Sequence, residues 1–193
     1  MAGLFSVWHL GIPDVQERAW TLTIGGRVAR PLTLDLNDLR CLPQTSVTSV
    51  HECAGRPLKP EVPQRRVGSV RWGGDRLRDL LEAAGIEPGA AYVISVGCDH
   101  GTFNSVHHDR YEKDLPISKA LDGNSLVALN VNGEPLPAEH GGPARLVVPG
   151  LSRRLDVGLV SSTAVSYMVF AIKTRRSRTV LELVGQAPRP RQP

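Results

Sequence analysis

Asn132-Gly-Glu-Pro-Leu-Pro-Ala-Glu-His-Gly-Gly-Pro-Ala-Arg-Leu-Val-Val-Pro-Gly150 joins two apolar runs through a segment rich in turn formers. Leu126 to Val131, just ahead of it, reads as a strand, Asn132-Gly133 as a tight hairpin turn, and Leu146-Val-Val-Pro149 as further strand. His140 and Arg145 stand between the two runs. Working outward, Tyr92 to Gly97 has the look of a buried strand, and Thr45 to Cys53 is a β-branched one leading into Ala54-Gly55. Trp20-Thr-Leu-Thr-Ile24 alternates at period two and ends at Gly25-Gly26, and Pro31 to Leu36 is extended. Asn37 is placed to cap a short helix running toward Cys41. The best-marked helix follows Gly73-Gly74, with Asp75 as its cap, Leu77, Leu80, Leu81 and Ala84 on one face, and Gly85 as its stop. Arg56 to Arg71 contains Pro57, Pro60 and Pro63 and reads as irregular and exposed, while Thr163 to Ile172 adds strand material. Many strands, few short helices and no regular βαβ alternation give an α+β class with mixed sheets.

The 193 residues suit one domain with a core of its own, expected over 1–172, followed by a basic, Pro-rich tail over 173–193. The formal charge of +4 belongs to that tail, where six Lys and Arg face one acid, leaving a body near −1. A basic groove for nucleic acid is therefore not expected. Cys41, Cys53 and Cys98 are too few for a disulfide framework and suit a reducing compartment. The opening residues show no leader pattern, and the late apolar stretch from Ala164 to Ile172 is far too short for a bilayer. The expected setting is the cytoplasm, with no membrane and no nucleic-acid partner.

Chemistry concentrates in histidines and cysteines. His51-Glu-Cys53 puts an imidazole and a thiol two apart, on one face of a strand, and Cys98-Asp-His100 repeats the spacing ahead of His107-His108. These ligand types suit zinc, but the spacings match no usual zinc pattern, and a loop His pair is commonly just solvated. Cys41 lies in an amphipathic turn and is expected in the core, as is Cys98 at the end of an apolar strand. Cys53 closes a polar strand ahead of Ala-Gly, whose small size would let a bulky group approach the sulfur. Its residues alone leave an ordinary buried thiol and a ligand both open, as they leave His140 free merely to bond a backbone carbonyl.

Val50-His-Glu-Cys-Ala-Gly55 resembles the Cys-Ala-Gly-Asn motif of sulfite-oxidase-type molybdopterin enzymes. Trp20 to Val28, Pro31 to Leu34, Asp38 to Pro43 and Arg71-Trp-Gly-Gly-Asp-Arg-Leu-Arg-Asp-Leu-Leu81 resemble the same family in order, and the 132–150 block is its most specific match. The resemblance implies the sulfite-oxidase fold and a molybdenum–molybdopterin cofactor. It makes Cys53 the thiolate ligand of the metal, and His9, His140 and Arg145 the holders of the pterin. A cation and an imidazole suit an anionic phosphate and polar ring edges. It further implies two-electron oxygen-atom transfer with a small-molecule substrate and a separate electron acceptor, with Arg56 as the candidate substrate contact.

The departures bear on substrate and cofactor. Val7 and Leu58 stand where the family carries active-site arginines, and Asp156-Val-Gly-Leu159 stands where it carries Ser-Val-Lys-Trp, with Gly158 at the lysine. Loss of two cations points away from sulfite as substrate. The rival readings are a chain that keeps this fold without its cofactor, as a binding module or non-redox enzyme, and a zinc enzyme built on Cys98 and His100.

Overall fold

The computed structural model describes residues 4–6, 10–52, 67–103 and 105–150, together with the backbone of 161–164 and 168–173. Its strands and helices begin with β1 (Thr21–Gly26), β2 (Leu32–Asp35), α1 (Leu36–Cys41), β3 (Thr45–Glu52) and β4 (Val67–Arg76). There follow α2 (Leu77–Ala84), β5 (Tyr92–Val96), β6 (Gly101–Phe103), β7 (Val106–His108), β8 (Glu112–Pro116) and α3 (Ile117–Ala120). The last are β9 (Leu126–Val131), β10 (Glu134–Pro135), β11 (Arg145–Val148), β12 (Ser161–Ala164) and β13 (Met168–Lys173). Strands with a few short helices are the α+β class the sequence predicts.

Two sheets organise the molecule. The first runs β2-β1-β13-β5-β8, with β1 and β13 parallel and the other pairs antiparallel. The second runs β12-β11-β9-β4-β3, wholly antiparallel, and β10 folds back on β9. The hairpin turn falls on Asn132-Gly133 as expected, both in the left-handed region at φ 52 and 92. Strand material from Thr163 to Ile172 is divided between the sheets, β12 against β11 and β13 between β1 and β5.

Because side chains alternate along a strand, the second sheet presents two different faces. Val127, Leu129, Leu146 and Val148 join Trp20, Leu22, Ile24, Leu77 and Leu81 in the main core. Val70, Trp72, Leu126, Ala128, Val131 and Val147 form a smaller cluster on the opposite face. The register between β4 and β9 shifts at Gly73/Gly74, since Gly73 pairs Asn130 and Gly74 pairs Ala128. Leu129 is thus an extra residue on β9, a bulge that brings Val131 to the same face as Ala128 and Leu126. A Cβ at Gly74 would sit 2.1 Å from the Val127 carbonyl oxygen, so only glycine fits beside the bulge.

Helix α2 buries the four residues its periodicity marks and ends at Gly85. The caps differ from expectation. Asp35, not Asn37, caps α1: its carboxylate accepts from the Asn37 and Asp38 N–H groups at 2.7 and 2.8 Å, while Asp38 closes the box in return. Asp75 is no cap but the buried penultimate residue of β4, where it accepts from Gln44 Nε2 at 2.8 Å. Cys41 is exposed rather than in the core, because the buried face of α1 carries Leu36 and Leu39 and a residue two beyond Leu39 points away. The segment read as irregular to Arg71 becomes strand from Val67, where buried Val70 and Trp72 alternate with exposed Ser69 and Arg71. The proline signals upstream masked that short alternation. The tail from 174 on lies outside the described residues, and Lys173 closes β13 opposite Tyr92.

Candidate functional site

The smaller cluster is where polar groups gather. Arg145 opens β11 two residues before Val147 and shares its face, and Trp72 reaches that face from β4. The Arg145 Cζ sits 5.2 Å from the centre of the Trp72 ring. His51, on β3 in phase with Val47, meets the edge of Trp72 at 5.8 Å between ring centres. Phe5 stacks on His51, with ring centres 5.0 Å apart and planes 18° from parallel.

His140 comes from the turn ahead of β11. The chain folds tightly there: the His140 and Gly142 N–H groups both donate to the Pro137 carbonyl, at 3.0 and 2.9 Å. Gly142 is required, since a Cβ there would lie 2.1 Å from the Leu136 carbonyl oxygen. Arg145 Nη1 donates to the His140 carbonyl at 2.6 Å, fixing guanidinium and turn together. The Ser6 hydroxyl lies 3.3 Å from His140 Nδ1, so residues 4–6 run across the site, with Leu4 packed into the cluster. Leu10 follows them to a close approach, since a Cβ at Gly101 would lie 2.6 Å from its carbonyl oxygen.

The electrostatics are those of a positive, dry site. Arg145 is only 7% exposed, and its Nε has no hydrogen-bond partner. Burial draws the guanidinium down to about 10 and the Asp99 carboxylate opposes this, so it stays charged at neutral pH. Asp99 itself is pushed up to about 6 by burial, against its own backbone hydrogen bond and the pull of Arg145 and His100. Its Oδ1 is also without a partner. Burial, then Arg145 and His140, hold His51 neutral with a pKa near 4. Burial first and Arg145 second lower His140, with Glu139 opposing. His51 Nδ1 and Trp72 Nε1 are likewise buried without partners, while a further unpaired nitrogen, Trp20 Nε1, lies in the main core.

Of the residues marked in the sequence, the structure brings His140 and Arg145 together. Cys53, Arg56 and His9, like Val7, Leu58 and Gly158, lie outside the described residues. Nothing in the sequence marks Trp72, Asp99, Phe5 or Ser6 as site residues, and His51 stands out there only by its spacing to Cys53. The signal for His51 was present, since period two puts it on one face with Cys53. Asp99 was legible only as the middle of a possible metal cluster. Among the described residues no group of three metal-binding side chains exists. His100 and His107 are exposed, bonded to the Cys98 carbonyl at 3.0 Å and paired with Asp109 at 3.4 Å, and Cys98 is part-exposed rather than in the core.

A buried cation with a free donor, flanked by an imidazole and an indole N–H, fits an anionic, acceptor-rich group such as a pterin phosphate. Residues 9–166 match the model of the oxidoreductase molybdopterin binding domain family. The chain belongs to this family. The molybdopterin-binding domain is 33% identical over 155 residues to the mitochondrial sulfite oxidase of Drosophila melanogaster, covering 74% of this chain and 26% of the relative. It is 33% identical over 162 residues to the sulfite oxidase of Arabidopsis thaliana, covering 74% and 41%. An NADPH nitrate reductase of Fusarium oxysporum is 31% identical over 144 residues, 68% of this chain and 15% of that one. Among solved structures, the sulfane dehydrogenase SoxCD of Paracoccus pantotrophus superposes with a TM-score of 0.70 at 28% identity, over 89% of this chain and 42% of that one. The domain therefore spans well under half the length of these relatives. The cofactor the family implies is molybdenum–molybdopterin, and the site's donors suit it.

Proposed function

We propose that this chain is a molybdenum–molybdopterin-dependent oxidoreductase of the sulfite-oxidase type, acting on a small substrate less charged than sulfite. The observation that carries the reading is Arg145: a buried guanidinium, its Nε unsatisfied, with no ion pair among the described residues. An unpaired buried charge is costly, and an anionic cofactor removes that cost. The rival reading, a binding module without cofactor, leaves the charge offset in part by Asp99, itself held near pKa 6 by burial.

When bound, the group supplies two-electron oxygen-atom transfer at molybdenum. Cys53 would hold the metal through its thiolate. Arg145 and His140 would hold the anionic and polar edges of the pterin, with His9 closing over it. Asp99, half protonated near pH 6, lies within the field of Arg145 and tempers its charge. Burial of Trp72 and the covering of His51 by Phe5 exclude water from this end of the site. Arg56 is the proposed substrate contact, and electrons would leave to a separate acceptor.

Protein made in a molybdopterin-competent host is expected to carry about one molybdenum and one pterin per chain, and Cys53→Ser to lose the metal's sulfur-ligand absorption and all redox turnover. Metal and pterin assays on both proteins check this, and an active Cys53→Ser protein would refute the ligand assignment. Val7 and Leu58 replace two cations worth about 1.5–3 kcal/mol each toward a dianion, so sulfite turnover should be lower by roughly two to four powers of ten. Steady-state kinetics on metal-replete protein, beside a Val7→Arg, Leu58→Arg double variant, measures it. Efficient sulfite oxidation by the unmodified chain would overturn the substrate reading.

A further inference from the structure

His51 is buried in a way its neighbours do not require. Only 6% of it is exposed, and its ring stacks on Phe5 and packs edge-to-face with Trp72. A phenylalanine would fill that place equally well and would leave no polar atom behind. Instead the imidazole buries Nδ1 without a hydrogen-bond partner, which is unfavourable for any polar atom taken out of water. Trp72 Nε1 and Arg145 Nε are buried and unsatisfied beside it. Three orphaned nitrogens on β3, β4 and β11 thus share one face of one sheet, and two of them are obligate donors. Trp20 Nε1 and Asp75 Oδ2 are unpaired elsewhere, each by itself, whereas these three gather around one guanidinium.

We infer that His51 is a cofactor-positioning residue, whose Nδ1, with Trp72 Nε1, hydrogen-bonds the acceptor-rich face of the pterin that Arg145 anchors. This rests on the proposed function and adds a residue to it. The packing gives the interaction its value. With Phe5 and Trp72 packed against it, the ring has little freedom to turn, so a partner would be oriented rather than merely bound. His51 stands two residues before Cys53 in the sequence, so the pterin contact and the proposed thiolate ligand are close along the chain.

The test compares His51→Phe, which keeps the stack and removes the nitrogens, with His51→Asn, whose amide reaches the place of Nδ1. His51→Leu serves as a second nitrogen-free variant, and of Phe and Leu the one that melts at or above the wild-type temperature without cofactor is scored. The readout is release of pterin from loaded protein, followed by pterin fluorescence after oxidation, and not activity. Loss of one hydrogen bond should speed release about tenfold in the nitrogen-free variant, while His51→Asn stays within about threefold of wild type. Wild-type release rates in the nitrogen-free variant, or equal losses in both variants, would overturn the inference while leaving the proposed function standing. Wild-type protein that takes up no pterin at all would overturn both.

Discussion

The two faces of the second sheet are made by the same strands and differ in what they bury. On the face toward the first sheet, Val127, Leu129, Leu146 and Val148 join an apolar cluster whose one unpaired side-chain polar atom, among the described residues, is Trp20 Nε1. One residue away on the opposite face, Trp72, His51 and Arg145 are buried as deeply, yet each keeps a nitrogen without a partner. Depth alone therefore does not separate core from site. The gathering of unpaired polar atoms does: a lone indole N–H on that side, against three nitrogens around one guanidinium on this one.

The strongest way to break this comparison is to delete the reserved charge. Arg145→Met keeps the volume and loses two charge-assisted contacts, so pterin affinity should fall by about two to four powers of ten. The cofactor-free protein should melt no lower than wild type, since an unpaired buried cation has been removed. Cofactor titration and thermal melting read the two quantities separately. On the opposite face the pattern should reverse. Leu146→Ala opens a cavity costing about 2–5 kcal/mol and should lower the melting temperature by roughly 10 °C. Pterin bound per folded molecule should hardly change. A Leu146→Ala protein with an intact melting temperature and weak pterin binding would dissolve the distinction.

Asp75 sharpens it, because its Oδ2 is also buried without a partner but lies in the frame away from the cluster. Burial raises this carboxyl to about 7, opposed first by the Gln44 hydrogen bond. The folded chain therefore keeps a proton that the unfolded chain gives up. Stability is full below about pH 4 and declines as pH climbs through 7, by at most about 1.4 kcal/mol per pH unit. Asp75→Asn should flatten that slope and raise the melting temperature at pH 8, with pterin content unchanged. Melting curves across pH 4–8 check the sign. A loss of pterin in this variant would move Asp75 into the site.

Much of the frame was legible because it depends on local pattern. The alternation of Trp20 to Ile24, the run from Tyr92 to Val96 and the spacing of Leu77, Leu80, Leu81 and Ala84 each reach the structure nearly unchanged. What failed was local signals in competition. Asp35 outranked Asn37 as a cap because Asp38 could answer it, and the prolines after Arg56 obscured the start of β4. His140 and Arg145 were legible through their shared block with a known family. Trp72, His51 and Asp99 acquire their roles from β3, β4 and the end of β5 meeting β11, and no window of sequence contains that meeting.

The segment of residues 4–6 that crosses the site sets the time at which the site can exist. Ser6 and His140 are 134 positions apart, among the longest loops this chain can close. Contacts of such separation form late, after their loop-closure entropy has been met by nearer pairings. Phe5 and Ser6 are made long before β11 and must wait for it, so the site is completed only once β11 has been synthesised and paired. A cofactor held by Arg145 and His140 would therefore meet a chain already folded through that strand.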